Sequence, residues 1–237
     1  MQTADQVILE LQEQANPEKA TFLQRYFKTH EGGYGQGDQF IGVAVPHQRK
    51  TARRYYKSMV PGELETLLNS PIHEYRLTAL FMLVLQFEKA RSEREKERLV
   101  NVYLQHLSAV NNWDLVDSTA ADLLGAYLWD KPRKLLYDFA RSGHLWKQRI
   151  AIIATFYFIK KGQYEDTFAI AQILMQHPHD LIHKAVGWML REVANRNFDV
   201  ACIFLVQHYQ DIPRTMLRYA IEKFPPAIRL QYLKGQI

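Results

Sequence analysis

An aspartate beside an aromatic ring is the arrangement in this sequence most suited to chemistry. Both residues lie in the stretch NNWDLVDSTAADLL, residues 111–124. If the stretch is a helix, Asp117 lies one turn after Trp113, about 40° away around the axis, at the edge of the apolar side. That apolar side consists of Val116, Ala120, Leu123 and Tyr127. The opposite side, which we expect to be solvated, carries Asp114, Ser118 and Asp122. A carboxylate at the edge of an apolar face is costly to bury without a partner or a function.

A second tryptophan occupies a basic polar face. In residues 180–194 the apolar side of a predicted helix consists of Leu181, Ile182, Ala185, Val186, Met189, Leu190 and Val193. Trp188 does not belong to this side and projects with Lys184 and Arg191. Such an indole is either covered by a neighbouring repeat or suited to packing on a sugar or base beside phosphates.

Arg149 shows the opposite pattern, a charged residue on an apolar face. It shares its side of a predicted helix with Ile152, Ile153 and Phe156. Because arginine does not lose its proton in proteins, it needs an anionic or strongly accepting partner. A structural salt bridge to a neighbouring helix and a phosphate contact beside Asp117 both remain open.

Basic residues also cluster in the segment HQRKTARRYYK, residues 47–57, which contains no acid. The cluster consists of Arg49, Lys50, Arg53, Arg54 and Lys57. The whole chain has a net charge of +5 and a pI near 9.2. The segment is therefore either an ordinary solvated face or an electrostatic footprint for the DNA backbone.

Two other patterns do not develop into predicted sites. His177, His179 and His183 lack an evident third ligand for zinc. The glycines of GGYGQGD, residues 32–38, lack the GK[ST] ending of a phosphate-binding loop. We expect the irregular segment around them, residues 31–45, to be a mobile connector or a DNA-facing loop. No metal and no cofactor is predicted.

The composition is that of a soluble globular protein, with 47% hydrophobic and 23% charged residues. No apolar run approaches the ~18 residues that a transmembrane helix needs. The single cysteine, Cys202, excludes a disulfide framework and fits a reducing cytosol. We therefore expect a cytoplasmic protein without a membrane partner.

The elements that must position these residues are almost entirely helical. Predicted helices are Ala4–Gln14, Lys19–Thr29, Pro46–Ser58, Pro61–Asn69, Ile72–Lys89, Ser92–Leu107, Asn112–Leu128, Pro132–Arg141, Leu145–Lys161, Tyr164–His177, Asp180–Ala194, Asp199–His208, Pro213–Lys223 and Pro226–Leu233. The only short β-branched run is Phe40–Val45, which stops at Pro46. From Ile72 onward the helices pair with a period of about 35–40 residues, typical of HEAT or armadillo repeats. We predict an all-α protein, a single HEAT-like repeat domain over residues 1–237 that forms an α-solenoid with a concave basic groove. A simple helical bundle is the alternative.

Four strings in this order resemble the AlkD family of bacterial DNA alkylation-repair glycosylases. They are YFK at 26–28, WDLVD at 113–117, WKQR at 146–149 and KAVGWMLRE at 184–192. The resemblance extends from about Asn16 to the C-terminal helices and implies a HEAT-like solenoid that wraps duplex DNA. It further implies hydrolysis of the N-glycosidic bond of cationic N3- and N7-alkylated purines, with no cofactor. The protein would act as a monomer on the nucleoid.

Site residues follow from the resemblance by position. Asp117 matches the catalytic carboxylate, and Trp113 and Trp188 match two aromatic residues that pack around the sugar of the damaged nucleotide. Arg149 matches a contact to the DNA backbone, and Tyr26 a residue that touches the lesion region. The full set of expected DNA-binding residues is Tyr26, Arg149, Lys184, Arg191, Lys50, Arg53 and Arg54. Because no lysine nucleophile is evident near Asp117, we expect a monofunctional glycosylase without lyase activity.

Two other functions fit a helical-repeat protein. The first is a non-catalytic module that binds damaged or structured DNA, in which Asp117 only pairs helices. The second is a solenoid that binds a peptide on its concave face. The presence of Trp113, Asp117, Arg149 and Trp188 together favours the enzyme over both.

Overall fold

The computed structural model describes residues 3–237. The regular secondary structure of this part of the chain is helical. An isolated parallel bridge joins Gln39 and Ile72. The chain divides into two compact units, one ending at Thr119 and the other comprising Ala120–Ile237. Residues 1 and 2 of the single domain predicted from the sequence lie outside the described residues, and the single domain itself stays a prediction.

The first unit contains seven α-helices up to Thr119. They are α1 (Thr3–Gln12), α2 (Pro17–Tyr26), α3 (Val45–Tyr55), α4 (Pro61–Leu68), α5 (His73–Lys89), α6 (Glu93–Gln105) and α7 (Trp113–Asp117). A 3-10 turn at Leu107–Ala109 leads from α6 towards α7. Helix α1 packs on α3 and α3 on α5, while α4, α6 and α7 also contact α5. Helix α5 is therefore the centre of this unit, and its residues from His73 to Leu83 are all buried.

The second unit begins with a π-helix at Ala120–Gly125. Its α-helices are α8 (Lys134–Ala140), α9 (Leu145–Lys160), α10 (Glu165–Leu174), α11 (Asp180–Ala194), α12 (Phe198–His208), α13 (Arg214–Ala220) and α14 (Pro226–Lys234). Helix α9 packs on the π-helix and on α11, and α11 packs on α13, whereas α10 contacts α8, α9 and α11. The alternate helices α9, α11 and α13 therefore form one layer, and α10 lies beside it. This arrangement is the pattern of stacked helical repeats.

Local sequence explains where many helices begin. Asn16, Ser92 and Asn197 accept a hydrogen bond from the backbone N–H three residues later, which satisfies one of the free donors at a helix start. Proline stands in the first turn of α2, α3, α4 and α14, where its missing N–H is harmless. No helix among residues 3–237 is both long and apolar enough to cross a membrane.

The prediction of one continuous helix at Asn112–Leu128 is wrong. Helix α7 ends at Asp117, and the chain resumes as the π-helix Ala120–Gly125. At this break the buried hydroxyl of Thr119 donates to the carbonyl of Leu115 at 2.7 Å. The predicted apolar side is confirmed for Val116, Ala120 and Leu123, which are fully buried, while Tyr127 is half-buried.

Candidate functional site

Trp113 and Asp117 lie at the two ends of the single turn formed by α7. Asn112 caps this helix, since its side-chain oxygen accepts the backbone N–H of Trp113 at 2.9 Å. Trp113 and Asp117 are both half-buried, whereas Leu115 and Val116 between them are fully buried. The short helix thus presents an indole and a carboxylate on one partly exposed flank.

An aromatic stack supports the indole. Trp113 stacks on Phe27 with ring centroids 5.2 Å apart and planes inclined by 18°. Phe27 stacks in turn on Phe40, with centroids 5.1 Å apart. Tyr26 meets the edge of Trp113 at 6.0 Å and is 54% exposed. Tyr26 and Trp113, predicted from separate parts of the sequence, are therefore in direct contact.

A buried charged network lies behind this stack. Each ring nitrogen of His73 pairs with a carboxylate, Nδ1 with Asp38 at 2.8 Å and Nε2 with Asp114 at 2.9 Å. Arg76 donates to the other oxygen of Asp38 at 2.7 Å and to the Asn111 side chain at 3.0 Å. The expectation that Asp114 belongs to a solvated face is therefore wrong, because its carboxylate is bound to a buried histidine of another helix.

These contacts decide which groups in the network are charged. Burial opposes a charge on His73, but the carboxylates of Asp114 and Asp38 outweigh it, so that its pKa is raised. Burial likewise works against an ionised Asp38, but the hydrogen bond from His73 and the charge of Arg76 prevail and lower its pKa. The two carboxylates of Asp38 and Asp114 thus meet the basic side chains of His73 and Arg76.

The glycine-rich segment 31–45 is fastened to this network. Asp38 and Phe40 are buried, and the backbone N–H of Gln39 donates to Pro71 at 3.1 Å. Further on, the N–H of Gly42 donates to the buried Glu74 carboxylate at 2.8 Å. Residues 40–44 form neither helix nor strand, and Val45 begins α3. The expectation of a mobile connector therefore fails for the second half of the segment, which is anchored at both its backbone and its side chains.

Trp188 lies in the second unit, on the half-buried side of α11. The bounds predicted for this helix are those observed, and the predicted apolar side is buried apart from Leu181, which is half-buried. The indole N–H of Trp188 donates to Glu192 at 3.1 Å, and Glu192 pairs with Arg196 at 2.7 Å. The preceding residue, Gly187, allows close packing, because a Cβ there would lie 2.5 Å from the Met216 carbonyl oxygen.

The three basic residues predicted to bind DNA in the second unit contact the protein itself. Arg149 is buried and donates to the carbonyl of Leu181 at 2.6 Å, which ties α9 to the first turn of α11. Lys184 pairs with Asp180 at 2.6 Å, and Arg191 pairs with Glu222. The contact of Arg149 to a neighbouring helix is a hydrogen bond to a backbone carbonyl. The salt bridge and the phosphate contact considered from the sequence both stay predictions.

The basic segment 47–57 of the first unit contains no acid itself, but an acid of another helix lies against it. Glu10 of α1 pairs with Arg54 at 2.6 Å and accepts from Thr51 at 2.9 Å. Lys50 and Arg53 are exposed and form no ion pair with any residue in the range 3–237. Arg49 and Lys57 are exposed as well, and they lie over the rings of Phe81 and Tyr56.

The histidines near the start of α11 have structural partners. His183 bonds to the backbone carbonyl of His177 at 2.5 Å, and His177 bonds to Gln148 at 3.0 Å. His179 caps α11 by accepting the N–H of Leu181. Within the described residues no group of three or more His, Cys, Asp or Glu side chains has a geometry that could hold a metal ion.

The residues expected from the sequence thus divide between the units. The first contains Tyr26, Lys50, Arg53, Arg54, Trp113 and Asp117, and the second contains Arg149, Lys184, Trp188 and Arg191. His73 and Asp38 were not predicted from the sequence as residues of the site. A signal was present in the string SPIHEYRLTALFML, where a histidine, a glutamate and an arginine precede a long apolar run and all prove to be buried.

Comparison with known proteins extends over most of the chain. The sequence matches the profile of a family described as DNA alkylation repair enzyme over residues 7–224, which spans both units. A solved structure described as a predicted DNA alkylation repair enzyme from Enterococcus faecalis is 17% identical, with a TM-score of 0.72. The similarity covers 90% of this chain and 98% of that one. No curated protein matches the chain. The predicted all-α helical-repeat fold is confirmed, and the chain belongs to the DNA alkylation repair enzyme family.

Proposed function

We propose that the protein is a monofunctional DNA glycosylase, which hydrolyses the N-glycosidic bond of cationic N3- or N7-alkylated purines in duplex DNA. The observation that carries the proposal is the pairing of Trp113 and Asp117 on α7, an indole and a carboxylate one turn apart on a partly exposed flank. Membership of the DNA alkylation repair family supports DNA as the substrate.

A carboxylate can promote this reaction without the help of a general acid. A purine alkylated at N3 or N7 already carries a positive charge, so that the bonding electrons of the C1′–N bond pass to the purine and it leaves as a neutral base. Positive charge then develops on the deoxyribose ring. The Asp117 carboxylate stabilises this oxocarbenium ion and orients a water molecule, whose oxygen bonds to C1′ while its proton passes to Asp117 and then to solvent.

Aromatic side chains add to the stabilisation of the sugar cation. Phe27 covers one face of the Trp113 indole, and Tyr26 adjoins its edge, which holds the ring in one orientation. In our proposal the sugar of the damaged nucleotide packs against the remaining surface of this indole, which attracts the developing charge. Trp188 is the second aromatic residue that the family resemblance assigns to this role. The hydrogen bond from Trp188 to Glu192 fixes the second ring.

Cationic side chains supply the affinity for the DNA backbone in this proposal. Lys50 and Arg53 are exposed and can reach phosphates without breaking an ion pair within the described chain. Arg54, Lys184 and Arg191 would exchange an acidic partner for a phosphate, which is feasible because solvent-exposed ion pairs are weak. Arg149 is the buried cation beside the first turn of α11 and would contact the backbone near the lesion.

The proposal is tested with duplex DNA that contains a single 7-methylguanine. We expect release of free 7-methylguanine, an abasic site in an otherwise intact strand, and no release from the same duplex with guanine. Tight binding of the methylated duplex without base release would instead support a non-catalytic DNA-binding protein. Strand cleavage without added base would contradict the monofunctional mechanism.

A further inference from the structure

His73 is a buried histidine for which the proposed reaction has no direct use. It is 1% exposed, at the first residue of α5, and each ring nitrogen bonds to a different carboxylate. A neutral imidazole has a single N–H, and ionised carboxylates only accept hydrogen bonds. Both nitrogens can therefore donate only if the ring is an imidazolium cation, which bridges Asp38 and Asp114.

The charged groups around His73 come from three elements, which are the glycine-rich segment, α7 and α5. Asp38 comes from the glycine-rich segment and Asp114 from α7, while Arg76 and Glu74 lie on the same helix as His73. Arg76 balances the second oxygen of Asp38, and Glu74 accepts the backbone N–H groups of residues 41 and 42. The nearest charges to the imidazole are therefore the two carboxylates that it bridges.

Two aromatic rings complete the surroundings of the imidazole. Phe40 stacks on it with centroids 4.5 Å apart, and Phe27 lies 5.1 Å away with its plane tilted by 36°. The electron-rich faces of such rings stabilise a cation. Phe27 is also the ring on which Trp113 stacks.

Two sets of contacts connect His73 indirectly to Trp113. First, His73 hydrogen-bonds to Asp114, the residue that directly follows Trp113 in α7. Second, the His73 ring packs on Phe27, and Phe27 packs on the indole. A five-residue helix has too few internal hydrogen bonds to fix its own orientation, so these outside contacts determine where its side chains lie.

The glycine-rich segment has a defined part in this arrangement. It supplies Asp38, and it approaches α7 so closely that a Cβ at Gly35 would lie 2.8 Å from Nδ2 of Asn112, the capping residue of α7. Its backbone joins the start of α5, where the N–H of His73 donates to the carbonyl of Gln39 at 2.8 Å. Substitution of Gly35 would displace the segment, because the new Cβ would also lie 2.3 Å from the backbone carbonyl oxygen of Phe27.

We infer that Asp38, His73 and Asp114 form a clamp that fixes the first turn of α7, and that His73 is thereby the positioning residue for Trp113 and Asp117 in the proposed reaction. The inference rests on the proposed function for its catalytic consequence. The clamp itself is a structural claim that can be measured without catalysis. It also gives the glycine-rich segment a role in presenting Asp38.

The variant His73→Gln tests the clamp, because a neutral amide can donate to one carboxylate but turns its oxygen towards the other. Protein labelled with 5-fluorotryptophan provides a ¹⁹F resonance for each of the four tryptophans, and Trp113→Phe assigns the one of interest. We expect His73→Gln to shift the Trp113 resonance and to leave those of Trp129, Trp146 and Trp188 in place.

Kinetics and pH give two further readouts that a general loss of stability would not produce. Release of 7-methylguanine in single turnovers should slow by roughly 10- to 100-fold in His73→Gln, with an unchanged Kd for the duplex, because the reacting groups are misplaced but the binding surface remains. In the wild type the Trp113 resonance should move as the pH rises above the ordinary histidine range. The same rise in pH should leave the resonance of His73→Gln unaffected.

A folded His73→Gln protein with an unaltered Trp113 resonance would overturn the clamp, as would a shift shared equally by all four tryptophans. If His73→Gln does not fold, Asp114→Asn keeps the size of the side chain and removes its charge, and the wild-type pH titration needs no variant. If the wild type releases no base, the proposed function fails, whereas the Trp113 resonance still decides whether the clamp exists.

Discussion

The indole of Trp113 lies flat on the ring of Phe27, which itself stacks on Phe40. Phe27 follows the last residue of α2 and is buried, whereas Trp113 begins α7 and is half-buried. The exposed part of the indole therefore rests on a rigid base supplied by distant parts of the sequence. A catalytic group gains from such support, because preorganised side chains need no rearrangement during the reaction.

Phe27→Leu should weaken this base while keeping an apolar residue in place. We expect a loss of about 0.5–1.5 kcal/mol in the free energy of unfolding, the worth of an aromatic pair beyond its buried area. Urea unfolding measures the loss. The matched control is Phe22→Leu on α2, the helix that ends just before Phe27, where the ring is 62% exposed and the change should stay within about 0.5 kcal/mol. Equal losses in the two variants would show that the stack contributes nothing specific.

Stability should depend on pH through His73 in a direction set by its raised pKa. A group whose pKa is higher in the folded protein contributes stability that is complete below its ordinary value of 6.5 and is lost as the pH rises through the raised value. The wild type should therefore be more stable than His73→Gln, with the largest difference at about pH 5.5. The difference should shrink in alkaline solution. Urea unfolding of both proteins across this range is the measurement. A difference that grows with pH would contradict an imidazolium in the folded state.

Much of the fold could be predicted because it depends on local periodicity. The bounds of α11 were predicted to the residue, and its apolar side is the buried one. The break after Asp117 was missed because residues 117–120 contain no proline or glycine that would mark the end of a helix. Where this segment leaves the α-helical path depends on tertiary packing, which the helical wheel does not contain.

Two helical glycines should respond in opposite ways to the same change. A Cβ at Gly187 would lie 2.5 Å from the Met216 carbonyl oxygen and from the Tyr219 Cβ, whereas a Cβ at Gly62 would meet nothing within 4 Å. Gly187→Ala should destabilise the protein by about 1–3 kcal/mol, since α11 and α13 must move apart. Gly62→Ala should be neutral or stabilising by less than about 1 kcal/mol. Thermal unfolding of both variants measures these changes in stability. A Gly187→Ala protein as stable as the wild type would contradict the close packing beside Trp188.

The two arginines in the last turn of α3 should differ in their contribution to DNA binding. Arg53 is exposed, whereas Arg54 already pairs with Glu10. Arg53→Ala should lower the slope of log K against log salt concentration by about 1, and Arg54→Ala by less. Binding to an undamaged duplex at several salt concentrations measures both, with Lys96→Ala as the control for loss of one positive charge. An unchanged slope for Arg53→Ala would remove this segment from the binding surface.

The candidate site was predicted less completely than the fold. Trp113, Asp117 and Tyr26 stood out because their residue types conflict with their positions on a helix or match a family string. His73 did not stand out, because its role depends on Asp114, 41 residues later, and on Asp38, 35 residues earlier. Pairing over such distances is a property of the tertiary structure, so a wheel that placed Asp114 in solvent could not detect it.

The most direct test of the account is the single-turnover rate of 7-methylguanine release by the wild type, Asp117→Asn and Asp122→Asn. Asp122 is the matched control, an exposed aspartate five residues further on that pairs with Lys160 at 2.8 Å. Loss of the carboxylate that stabilises the sugar cation should slow Asp117→Asn by roughly 10²–10³-fold. Asp122→Asn should retain the wild-type rate, and all three proteins should bind the duplex with similar Kd. Release by Asp117→Asn at the wild-type rate would contradict the central claim that this carboxylate carries the reaction.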